Sequence, residues 1–194
     1  MAIMIMLAGP NGAGKSTIYE HIVRLKFNAP FINADKIQKE ELSDQSVEGA
    51  YQAAKIAEER RQQYLKSKRS FASESTFSHP SKIQLMEDAI DADFRVVMYH
   101  VNVRSPELSV ARVAMRVQEG GHDVPEDKIR ARYSRNQALI KQAVLRADIG
   151  FVYDNSLLNQ LPQLCLIFKH SKCTFVADNL HLPAWVNSLY GEFL

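Results

Sequence analysis

The sequence predicts an α/β fold, a three-layer sandwich built on a mainly parallel five-stranded sheet. Three observations predict it. Apolar strand-like runs alternate with helical spacing from Ile3 to Tyr153. The first apolar run ends on a glycine-rich loop that opens a helix, as at the carboxyl edge of a parallel sheet. The chain of 194 residues, 46% hydrophobic and 24% charged, has the balance of one globular domain with a sizeable core.

Ile3 to Ala8 reads as a buried central strand, ended by Gly9 and Pro10, and Ser16 to Leu25 as a helix with Ile18, Ile22 and Leu25 inward. Pro30 to Asn33 is a second strand that runs into Ala34 and Asp35. A long helix is predicted from Ser46 to Lys66, with Val47, Ala50, Tyr51, Ala54, Ala57, Tyr64 and Leu65 on the buried face. Lys55, Glu58, Glu59 and Arg61 are read as solvent positions. Ser70 to Ser73 is a third strand followed by Glu74, and Ser81 to Ala92 a helix. Phe94 to Val101 carries the clearest strand pattern. Pro106 opens a helix to Glu119, ended by Gly120 and Gly121, and Pro125 opens another to Ala147. Ile149 to Tyr153 is a fifth strand. Gln163 to Phe168 and Cys173 to Ala177 form a terminal hairpin, and hairpin and final helix occupy about residues 161–190. All 194 residues are read as a single domain, with a lid over about residues 105–135.

A net charge of +2 gives no reason to expect nucleic acid or a membrane surface as a partner of the whole molecule. Cys165 and Cys173 fit no metal-binding spacing and point to a reducing, cytoplasmic setting. Ala2 to Leu7 is too short to cross a bilayer.

Gly9 to Ser16 reads GPNGAGKS, two glycines flanking a strand-to-helix turn closed by Lys and Ser, with Thr17 next. This is a phosphate-binding P-loop. Gly9, Pro10, Asn11, Gly12, Ala13, Gly14, Lys15, Ser16 and Thr17 are the residues expected to hold ATP. Such a loop aims backbone N–H groups at phosphate oxygens, which calls for positive φ and no obstructing Cβ at Gly12 and Gly14. Lys15 supplies charge for the β and γ phosphates, the Ser16 hydroxyl a ligand for Mg²⁺, and the helix its positive end. The fold class is therefore that of a P-loop NTPase, with the helical lid and C-terminal β-hairpin added to it.

No transporter-type signature motif, apolar strand ending in Asp-Glu, or Asn-Lys-x-Asp guanine motif occurs. Asp35, 20 residues after Lys15, stands where a kinase places a proton acceptor for an incoming hydroxyl. It could equally cap a helix beginning at Lys36. Glu74, among Ser73, Ser75 and Thr76, suits orientation of a polyhydroxylated substrate or water-mediated contact with Mg²⁺, or is a capping or solvated residue. From Arg104 to Arg146 nine Lys or Arg face five acids, a local charge of +4. Arg112 and Arg116 share one helical face, and Lys128, Arg132 and Arg135 another. Arginines on a lid stabilise the charge spread over a transferring phosphoryl group. A salt-bridged, solvated helix pair is the alternative. Gly120-Gly121-His122 would be the hinge or tip of the lid.

Taken together, GPNGAGKST, Asn33-Ala-Asp35, Glu74-Ser-Thr76, Arg116, the run GGHDVPEDKIRARYSRN from Gly120 and Tyr153-Asp-Asn-Ser156 resemble the zeta toxin family of bacterial P-loop kinases. The resemblance spans about Ile3 to Ser156. It implies ATP-dependent, Mg²⁺-dependent phosphorylation of a sugar nucleotide, UDP-N-acetylglucosamine, on a sugar hydroxyl. It implies catalytic roles for Lys15, Asp35, Arg116 and Arg132, and substrate contacts from Asn33, Asp35, Glu74 and Thr76. It also implies a small helical antitoxin as partner. The sequence departs from the better-known toxins in its lid spacing and its short C-terminal part. Two other readings stay open: a P-loop ATPase or nucleotide-dependent regulatory module without an acceptor, and a nucleic-acid end kinase. The second of these lacks the aromatic interleaving a base-stacking groove needs.

Overall fold

The structure is a computed structural model and describes residues 1–44, 46–119, 123–177 and 182–194. Its centre is β1 (Ile3–Ala8), whose side chains alternate between two cores. Met4, Met6 and Ala8 point into the larger one and Ile5 and Leu7 into the smaller. The other strands are β2 (Phe31–Ile32), β3 (Phe71–Ser75), β4 (Arg95–Asn102), β5 (Ile149–Asp154), β6 (Gln163–Lys169) and β7 (Lys172–Val176). They form one sheet in the order β2-β3-β1-β4-β5-β6-β7. The first five are parallel, as predicted, and the hairpin continues the same sheet antiparallel through β5–β6 and β6–β7.

The larger core is covered by α3 (Val47–Lys66), α4 (Ser81–Asp91), α6 (Glu126–Arg146) and α7 (Ala184–Tyr190). The opposite face carries α1 (Lys15–Ile18) with its π-helical continuation Tyr19–Val23, and stacked aromatic rings of Tyr99 and Phe151 with centroids 4.8 Å apart. The π turn takes more residues per turn than an α-helix and so rotates the residues after it about the helix axis. Ile18 is buried as expected, while Leu25 ends up exposed. A third, small core of Val113, Val124 and Ile129 joins α5 (Pro106–Gln118) to α6. This helix pair is the element read as a lid. The predicted hinge Gly120-Gly121-His122 lies outside the described residues.

The long helix is rotated relative to the sequence reading. Gly49, Ala53, Ala57, Arg61 and Leu65 face inward, whereas Val47 and Tyr51 are 70% and 66% exposed. Residues four apart with little or no side chain let the helix lie close to the sheet, so an apolar-face count placed Ala57 and Leu65 correctly but put Val47 and Tyr51 on the wrong side. Arg61, read as solvated, is buried.

Candidate active site

β1, β3 and β4 end at the same edge of the sheet, and the loops leaving that edge enclose a cavity of about 520 Å³. One wall is the loop after β1. Gly12 and Gly14 have φ of +71° and +87°, the left-handed region that favours glycine. A Cβ at Gly12 would sit 2.8 Å from the Ser109 carbonyl oxygen of α5, and one at Gly14 2.1 Å from Asn155 Nδ2. Asn155 itself donates to the Ala13 carbonyl at 2.9 Å, bracing the loop from the end of β5. That role went unread in the sequence because it depends on a contact 142 residues away. Asn11, Gly12, Gly14, Lys15, Ser16 and Thr17 line the cavity. Gly9, Pro10 and Ala13 belong to the loop but not to the wall: Lys15 Nζ donates to the Gly9 and Pro10 carbonyls at 3.0 and 2.9 Å, and Ala13 is buried. Burial holds the Lys15 ammonium below its usual pKa, opposed by the negative charges of Glu74 and Asp35.

Glu74 lies inside β3 rather than after it, one residue before the strand's end. Its Oε2 accepts from Ser16 Oγ at 2.8 Å and from Asn33 Nδ2 at 3.0 Å, and its Oε1 is 3.7 Å from Lys15 Nζ. Asn33 also settles what caps the next helix. Its Oδ1 accepts from the Asp35 and Lys36 N–H groups at 2.8 and 3.2 Å, capping α2 (Ala34–Lys36). Asp35 therefore sits in the first turn and does not cap it, and its exposed side chain lines the cavity. Thr76 lines it too, its carbonyl held by Asn136 Nδ2 of α6 at 2.9 Å.

The lid helices contribute Arg112, Arg116 and Arg132. Arg132 reaches across to Asn11 Oδ1 at 3.3 Å. Arg130 points elsewhere, to Glu107 and Glu126 at 2.6 and 2.8 Å, and Arg135 is exposed outside the cavity. Arg112 was seen in the sequence only as part of a helical face. Two further cations line the wall: Arg61, read in the sequence as a solvent position, and Lys82, which was not singled out there.

The donors at the loop mouth suit Mg²⁺. A hydroxyl and a carboxylate 2.8 Å apart are hard oxygen ligands, and magnesium bound with a nucleotide takes the rest of its shell from phosphates and water. Among the described residues there is no cluster of three acidic, His or Cys side chains. No helix among them is long and apolar enough to cross a membrane.

A P-loop between β1 and α1, a parallel sheet of order 2-3-1-4-5 and a helical pair over the loop together define a P-loop kinase-like domain. A family model described as an AAA domain matches residues 4–139, well over half of the chain, and the protein belongs to that family. An uncharacterised protein of Haemophilus influenzae is 29% identical over 132 residues, 66% of this chain and 91% of that one. Among solved structures, the complex of AvrRxo1-ORF1 and -ORF2 with ATP is similar at a TM-score of 0.69 and 13% identity. The match covers 100% of this chain and 63% of that one, so this chain spans less than two thirds of its length. The PezAT chromosomal toxin-antitoxin system of Streptococcus pneumoniae is similar at a TM-score of 0.60 and 18% identity, over 98% of this chain and 79% of that one. At these identities the likeness is one of fold.

Proposed function

We propose that this protein is an ATP-dependent kinase of small molecules, of zeta toxin type, which transfers the γ-phosphate to a hydroxyl of a sugar nucleotide such as UDP-N-acetylglucosamine. One observation carries the reading. An exposed carboxylate, Asp35, which is not needed as a helix cap, shares a cavity with Lys15 and Ser16 of the phosphate loop. A pure nucleotide switch has no evident use for it.

In this reading the loop N–H groups and Lys15 hold the β and γ phosphates, and Ser16 and Glu74 are the groups that would hold Mg²⁺, which neutralises phosphate charge when bound. Asp35 takes the proton from the acceptor hydroxyl. The freed oxygen bonds to the γ-phosphorus while the bond to the β–γ bridging oxygen breaks, leaving ADP and a phosphorylated acceptor. Arg116 and Arg132 meet the charge on the equatorial oxygens and keep water out. Asn33 and Thr76 border the acceptor side.

ATP in the AvrRxo1 complex supports the choice of nucleotide, and the pairing of toxin with antitoxin in PezAT supports an antitoxin-type protein as partner. The reading is tested by incubating the protein with Mg-ATP and UDP-N-acetylglucosamine and following both nucleotides by mass spectrometry. A sugar nucleotide heavier by one phosphate is expected. ADP and inorganic phosphate with no phosphorylated acceptor, also in a metabolite extract, would establish the ATPase alternative instead.

A further inference from the structure

The cavity is cationic at two places. One is the phosphate loop with its lid arginines. The other lies on the acceptor side, where α3 and α4 contribute Arg61 and Lys82. Both cations are tied to one carboxylate. Glu58 Oε2 accepts from Arg61 Nη2 at 2.8 Å, from Arg61 Nε at 3.2 Å and from Lys82 Nζ at 2.7 Å. Arg61 Nη1 donates to Ser73 Oγ of β3 at 3.1 Å, and Gln62 Nε2 lies 3.4 Å from Glu58 Oε1. Burial and the neighbouring Arg61 charge lower the Lys82 pKa, and hydrogen bonds from Lys82 and Arg61 bring that of Glu58 to about 2 against the opposing effect of its own burial.

As a mere brace between α3, α4 and β3 this arrangement is poorly economical. One cation already satisfies one carboxylate, and a second brought beside it in a half-buried wall adds repulsion and desolvation cost. Two cations against one carboxylate leave the site at +1. Donors are also left over. Among the described residues these bonds use three of the five N–H groups of Arg61 and one of the three of Lys82, so four remain.

We infer that Arg61 and Lys82, held by Glu58, form a second anion seat, and that this seat takes the diphosphate of the acceptor. This rests on the kinase reading above for the word acceptor, but the seat itself does not. The diphosphate of a sugar nucleotide, with four free oxygens over its two phosphorus atoms, matches the surplus charge and the four donors better than a carboxylate with two oxygens. The seat also fixes direction. With the diphosphate anchored at α3 and α4, the rest of the acceptor reaches towards Asp35 and the loop, past Ala50 and Ala54, which line the same cavity.

The test uses the full chain saturated with Mg²⁺ and a non-hydrolysable ATP analogue, so that the phosphate loop is filled. Inorganic phosphate is then titrated in and followed by calorimetry. The saturated protein is expected to bind phosphate, and Lys82→Gln to weaken it by about tenfold or more. Lys82→Arg should retain binding, and both variants should keep the analogue affinity and melting temperature of the wild type. No phosphate binding to the saturated protein, or equal binding by Lys82→Gln, would overturn the inference. Phosphate binding that follows Lys82 while no alcohol is ever phosphorylated would contradict the kinase reading and leave the seat standing.

Discussion

The two sides of the cavity are built in different ways. The nucleotide side is mostly backbone: consecutive residues Gly9 to Thr17, with two left-handed glycines and a lysine folded back on its own loop. The opposite side, proposed to take the acceptor, is mostly side chains drawn from α2, α3, β3 and α4, and held by contacts such as Arg61 to Ser73 and Asn33 to Glu74. Glu74 is where the sides meet, since it touches both Ser16 and Asn33. The difference teaches that phosphate binding is carried by local geometry, which tolerates few changes. In the proposed reading, acceptor choice would rest on separate side chains from several elements.

The comparison breaks first if the nucleotide side proves dispensable. Lys15→Ala is expected to cut turnover by about 10³-fold or more, because Lys15 is the only cation within the loop itself. Isotope-labelled ATP would follow it, and a folded variant with wild-type turnover would refute the nucleotide side altogether. Next come the lid arginines. Arg116→Ala and Arg132→Ala should each lower kcat by about 10²- to 10⁴-fold with smaller effects on ATP affinity, if, as proposed, these charges engage chiefly in the transition state. Arg130→Ala is the internal control. Its partners are Glu107 and Glu126 on the surface, so its kcat should stay within about twofold of wild type.

His100 calibrates the comparison by serving neither side. It is fully buried under α7, its Nδ1 2.8 Å from the Tyr190 hydroxyl and its ring edge-on to Trp185. Burial lowers its pKa from 6.5 to about 3. Between those values the unfolded chain binds a proton that the folded one refuses, so stability falls as pH drops below about 6.5. By pH 4.5 the loss is roughly 2–3 kcal/mol, or about 5–10 °C in melting temperature. Glu58 adds its own loss only below about pH 4.5. Thermal melts between pH 7 and 4.5 should therefore show a slope in the wild type that is shallower in His100→Asn. Equal slopes would deny the buried neutral imidazole.

How much of this was legible in the sequence divides along the same line. The loop, the parallel order of strands and helices, and the hairpin were readable because each depends on neighbouring residues: a glycine pair, an apolar run, a turn. Asp35 was readable as a carboxylate after the second strand, but its alternative role as a cap was not decidable until Asn33 was seen to do that work. Arg61 was misread because amphipathic counting assumes that a charged residue faces water, and here it is a buried donor to β3. Lys82 and Asn155 escaped notice because their partners lie 24 and 142 residues away. Choosing among Arg116, Arg130, Arg132 and Arg135 required the helix positions, which spacing alone leaves degenerate.

The central claim is that the carboxylate of Asp35 acts on the acceptor and not on ATP, and Asp35→Asn tests it most directly. The amide keeps nearly the same volume and removes only the proton-accepting charge, and the helix keeps its Asn33 cap. One preparation is measured for melting temperature, Mg-ATP affinity and phosphorylated acceptor. The account predicts unchanged stability, ATP affinity near that of the wild type, and transfer reduced by about 10²-fold or more. Full phosphotransfer by the folded Asp35→Asn protein would contradict it.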